Sequence, residues 1–145
     1  MRSPEQVNWD FVQDWLSKAE EDLLVARELM ERDRISYDPV GFHAQQAAEK
    51  FLKALLTRHQ IPFPKTHSIR QLLELAEKAV PGLQESLSDV RALSPYGVEI
   101  RYPGDRAPLD RQRGARAVEL ATHVQTVVKE KLADYLRAGR PEIGL

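Results

Sequence analysis

Residues 42–56, FHAQQAAEKFLKALL, separate into two faces when wound at 100° per residue. Ala44, Ala47, Ala48, Phe51, Leu52, Ala54 and Leu55 share one arc, while Gln45, Gln46, Glu49, Lys50 and Lys53 share the other. An apolar arc this continuous has to be hidden against other elements, so the stretch predicts a helix lining a core. Glu49 and Lys53 form an i,i+4 pair in the favourable order, and Gln45 and Gln46 are good helix formers. A solvated face accounts for the polar arc. The alternative is a partner or dimer contact through the row Phe42, Gln46, Glu49 and Lys53, where an aromatic ring stands among polar groups.

The same period recurs on both sides of this stretch. Trp9, Val12, Leu16, Ala19, Leu23, Ala26 and Met30 step by three and four, predicting a helix over about 8–32 with Ser3 and Pro4 as its start signal. Asp38 before Pro39 reads as the cap and first position of a second helix running to about residue 58. The prolines of HQIPFPKTHS stop it. A third helix over about 68–79 carries Ile69, Leu72, Leu73 and Ala76 on one side, and a shorter amphipathic segment follows with Leu83, Leu87 and Val90. SPYGVEIRYPGDRAPLD then reads as a long loop, of the kind that often carries function. The last helix, over about 110–138, places Ala117, Ala121, Val124, Val128, Leu132 and Tyr135 at helical spacing. No segment alternates at period two. The expected fold is all-α, a single domain over residues 1–145 arranged as an up-and-down bundle of four long helices plus a short helix.

Composition narrows the chemistry. A net charge of −1 over 145 residues argues against a uniformly basic nucleic-acid binder and leaves room for a local basic patch. The absence of cysteine removes disulfides, thiolate catalysis and cysteine-ligated zinc. The four histidines, at positions 43, 59, 67 and 123, form no HExxH pair, so no metal is expected. Neither a glycine-rich phosphate loop nor a GxSxG elbow occurs. The first residues lack an apolar h-region, and no run approaches about 18 apolar residues, so the expected location is cytoplasmic without membrane contact.

Two constellations remain. Residues 101–116 hold Arg101, Arg106, Arg111, Arg113 and Arg116 against Asp105 and Asp110, a local charge of +3. Arg101 beside Tyr102 pairs a guanidinium that grips phosphate with a ring that stacks on a base, while Arg111, Arg113 and Arg116 add positive potential. The competing reading has Tyr102 and Pro103 packing the loop while the arginines pair with acids. Arg116 and His123 are separated by 700° of helical turn, only 20° short of two full turns, and so emerge on one side about 10.5 Å apart along the axis. An arginine for phosphate charge and a histidine for proton transfer suit metal-independent RNA cleavage, although such a pair also arises by chance in an arginine-rich helix.

FHAQQAAEKFLKALL followed by THSIRQLLELA and RYPGD resembles the HEPN domain family, the "higher eukaryotes and prokaryotes nucleotide-binding" domains, over nearly the whole chain. The resemblance implies a bundle of four or five helices, a homodimer, and a minimal nucleotidyltransferase as partner in modules of toxin–antitoxin type. It implies a nucleotide- or RNA-binding protein without a cofactor. The family's catalytic pattern, an arginine and a histidine with four to six residues between them, is met by Arg116 and His123; the tyrosine that often follows is absent, since Val124 and Gln125 stand there. The resemblance thus implies either nucleotide contact through Arg101, Tyr102, Arg111 and Arg113, or an endoribonuclease with Arg116 and His123 as catalytic residues. A purely structural interaction module is the third reading.

Overall fold

Ser3 opens the first helix of the computed structural model, which describes residues 1–97, 102, 104 and 107–143. Its hydroxyl accepts the Gln6 N–H at 3.1 Å, and the Gln6 side chain accepts the Ser3 N–H at 3.0 Å. This reciprocal cap satisfies donors that a helix start leaves orphaned, so α1 (Pro4–Met30) begins at the proline rather than at about residue 8. The return through residues 31–37 makes α2 (Asp38–Arg58) an antiparallel neighbour, and theirs is the most extensive helix pairing. With 13 of its 21 residues buried, α2 is the central helix. Phe51, Leu52, Leu55 and Leu56 pack there against Leu16 and Leu23 of α1. The other walls of the core are Leu72 and Leu73 of α3 (Ile69–Glu77) and Val124 and Val128 of α5 (Arg111–Lys131).

All the regular elements among the described residues are helices, with three long ones instead of the expected four. α3 is nine residues long, and its start is set by the Ser68 hydroxyl, which accepts the Gln71 N–H at 3.2 Å. It stops where the Glu77 carboxylate accepts the N–H groups of Gln84 at 2.9 Å and Gly82 at 2.6 Å. Those two bonds, Gln84's first, hold the Glu77 carboxyl below the usual carboxylate range. Gly82, at φ +90°, makes the turn into α4 (Leu83–Ser86), and a 3-10 helix (Ser88–Tyr96) continues into what reads in the sequence as loop. The last helix breaks at Leu132, so α6 (Ala133–Ala138) is separate. No helix is long and apolar enough to cross a membrane among the described residues.

Asp38 does not cap α2. Its carboxylate accepts the Leu109 N–H at 3.1 Å, and the Leu109 carbonyl accepts the Tyr37 N–H at 2.9 Å. These bonds fold Leu109 onto Ala26, Tyr37 and Val40 as a second, smaller core. Two glycines permit the approach. A Cβ on Gly41 would lie 2.7 Å from the Leu109 side chain and 3.1 Å from Tyr96; one on Gly114 would lie 3.1 Å from both Met30 and Tyr37.

The polar arc of α2 is largely not a solvated face. Gln45, Glu49 and Lys53 are buried at 0%, 2% and 8% exposure. Lys53 Nζ lies 2.6 Å from Glu49, with the Trp15 and Phe63 rings 5.4 and 5.8 Å away. His67 Nδ1 stands 3.1 Å from the same carboxylate. The Gln45 amide donates to Glu49 at 3.3 Å and to the His67 carbonyl at 3.1 Å, while its own oxygen accepts from Gln46 at 2.9 Å. Trp15 and the segment carrying Phe63 and His67 cover the column, so within the contact row only Phe42 and Gln46 retain substantial surface. The sequence pattern misled here because the covering groups lie on other elements.

Candidate functional site

The first turns of α5 gather the basic residues. Asp110 caps the helix by accepting the Arg113 N–H at 2.8 Å. Arg111, half exposed, is engaged with the end of α1 and the turn that follows it. Its guanidinium donates to the Met30 carbonyl at 3.0 Å and to Asp33 at 3.2 Å, and it lies 5.4 Å from the centre of the Tyr37 ring. It ties the start of α5 to the end of α1, a role unlike the nucleotide contact expected from sequence. Arg113 is exposed, and its side chain has no ion pair among the described residues. Arg113 and Arg116 supply the positive charge of a cleft of about 660 Å³ that, among the described residues, is also lined by Asp110, Gln112, Ala115 and Glu119.

Arg116 and His123 do emerge on one side of α5, and one carboxylate reaches both. Asp89, in the first turn of the 3-10 helix, sets Oδ2 at 3.6 Å from Arg116 Nη2 and Oδ1 at 3.5 Å from His123 Nδ1. Arg116 Nη1 also donates to Glu119 at 3.0 Å. All are open to solvent: the side chains of Arg116, Asp89 and His123 are 57%, 45% and 40% exposed. His123 does not line the cleft. It joins Arg116 through Asp89. A guanidinium beside an imidazole can neutralise a phosphate and move a proton at it, with His123 Nε2 as the ring nitrogen turned away from Asp89.

Tyr102 is 70% exposed, while Arg101, its expected companion, lies outside the described residues together with Pro103. Among the described residues no group of three or more histidine or acidic side chains is placed to hold a metal. His43 instead sits 2.9 Å from Asp22, which also receives Lys50 at 2.5 Å, a cluster that staples α2 to α1. Sequence reasoning missed Asp89. It carries no periodic signal of its own, because its partners lie across a packing contact on another element.

The family model of the HEPN domain matches residues 12–131. The chain belongs to the HEPN domain family. The crystal structure of TT1696 from Thermus thermophilus is similar to it, with 30% sequence identity and a TM-score of 0.72, covering 83% of this chain and 98% of that one. No curated protein matches. In this HEPN domain the matched span contains the polar column of α2 together with Asp89, Arg116 and His123. It leaves out the capped start of α1 and all of α6.

Proposed function

We propose that this HEPN domain binds the phosphate groups of a nucleotide or of RNA at the first half of α5, as a homodimer acting with a nucleotidyltransferase partner in a module of toxin–antitoxin type. The observation that carries the binding site is the convergence of Arg116 and His123 on a single carboxylate beside the Arg113 cleft. An arginine and a histidine that already share one carboxylate are spaced to share a phosphate. Arg101 and Tyr102 complete the nucleotide contact in this reading, and Phe42 and Gln46 form the dimer contact. Dimer and partner rest on family resemblance. Calorimetric titration with ATP, GTP and a short oligoribonucleotide tests the binding. Heat of binding that falls in Arg113→Ala and Arg116→Ala is the expected result; no heat with any of the three leaves the interaction module standing in its place.

A second reading, favoured by the position of His123, is metal-independent endoribonuclease activity. His123 takes the proton from a 2′-hydroxyl, whose oxygen attacks the adjacent phosphorus as the 5′-oxygen leaves. Arg116 stabilises the charge that builds on the phosphate, and a 2′,3′-cyclic phosphate results. Cleavage of RNA in EDTA that disappears in His123→Ala supports it; cleavage unchanged by that substitution removes it.

A further inference from the structure

We propose that Asp89 is a resident counter-anion of the Arg116–His123 pair, seated where a phosphate of the ligand binds and turned out when that phosphate arrives. The inference rests on the phosphate-binding reading above and adds a step to it. A carboxylate presents two oxygens on one central atom, as a phosphate presents two of its own, and Asp89 directs one oxygen to Arg116 and the other to His123. The separations of 3.6 and 3.5 Å lie beyond the usual hydrogen-bond range, so the contact is a loose one in partly open solvent.

Local charge shows why the displacement matters. Arg116 contributes +1, while Asp89 and Glu119 contribute −1 each, so these three side chains carry a net −1. An incoming anion is disfavoured until one acid leaves. Glu119 is held at 3.0 Å by a bond within one turn of α5. Asp89 is the looser of the two and the one that faces both Arg116 and His123. Leu87 and Val90, near it on the chain, are fully buried, which anchors the backbone there and leaves the carboxylate as the moving part. The site is therefore self-screened at rest, and it selects ligands whose phosphate competes with a carboxylate already in place.

Asp89→Asn keeps the shape and removes the charge. Its affinity for inorganic phosphate and for a short oligoribonucleotide, measured by calorimetry and by the NMR signals of the His123 ring at low salt, should rise about three- to tenfold. Arg116→Ala in the same background should erase the gain, and Glu21→Gln, an equal charge change outside the cluster, should not reproduce it. A gain with both probes assigns the seat to phosphodiester and free phosphate alike; a gain with inorganic phosphate alone assigns it to a terminal phosphate. Unchanged or weaker binding in Asp89→Asn overturns the inference, as does a gain that survives Arg116→Ala. If wild type binds RNA and neither Asp89→Asn nor Arg116→Ala alters it, the inference falls while RNA binding elsewhere on the domain stands. Silence of both wild type and Asp89→Asn towards every probe overturns both.

Discussion

Glu49 Oε1 lies 2.6 Å from Lys53 Nζ, and the two side chains are 2% and 10% exposed. An ion pair of this depth is dangerous to halve, because the survivor keeps its charge without its partner. The halves are unequal here. Glu49 also receives Gln45 and His67, whereas among the described residues Lys53 has the Trp15 and Phe63 rings besides Glu49.

Glu49→Ala should therefore cost about 3 kcal/mol of folding stability, near the range for breaking a buried pair. Lys53→Ala should cost clearly less, since the carboxylate it leaves retains two donors. Urea unfolding of the two variants checks the order; equal losses would show that Gln45 and His67 do not support Glu49.

Arg111 and Arg113, neighbours in the first turn of α5, should respond oppositely to truncation. Arg111→Ala removes three hydrogen bonds, to the Met30 and Arg32 carbonyls and to Asp33, and the contact with Tyr37, which predicts a loss of about 1–2 kcal/mol of stability and unchanged phosphate affinity. Arg113→Ala should leave the melting temperature in place and weaken nucleotide binding. Melting curves paired with calorimetry separate the two.

Asp10 predicts a pH dependence. The Arg140 guanidinium and then that of Arg2 donate to its carboxylate and hold its pKa at about 2, below the ordinary 3.8. A carboxyl lowered on folding adds stability that is complete above its unfolded pKa and is lost as pH falls through the folded one. The melting-temperature gap between wild type and Asp10→Asn should accordingly be constant near neutrality and close between about pH 4 and pH 2. A gap that is undiminished at pH 2 would assign the effect to something other than ionisation.

Gly41→Ala tests the smaller core. An added methyl meets Leu109 at 2.7 Å and the Tyr96 side chain at 3.1 Å, with Leu109 itself only 1% exposed. Overpacking should outweigh the gain in helix propensity and leave a net loss of about 1–2 kcal/mol in denaturant unfolding.

What the sequence disclosed depended on whether the signal and its cause shared an element. The stripe from Val12 to Ala26, the Ser3 start signal and the stop after Arg58 are local, and all are visible in the chain's own periodicity and punctuation. The one-sided placement of Arg116 and His123 followed from helical geometry alone. Leu109 was hidden because it sits in a proline-rich stretch, and its burial comes from the Asp38 carboxylate far away in sequence. The polar arc of α2 was misleading for the same reason, since amphipathicity cannot tell a side chain in water from one covered by Trp15 and His67. Arg111 read as a ligand contact because Met30 and Asp33, its partners, come from the other end of the chain.

The column Gln45, Glu49 and Lys53 also gives α2 an address. Its hydrocarbon face would accept displacement along the axis by one turn, about 5.4 Å, since one alanine or leucine there would follow another. The column would not, because Glu49 would leave His67 behind and Lys53 would leave its two rings. The central helix is thus indexed to a single frame by three polar side chains. Related chains should change these positions together or not at all.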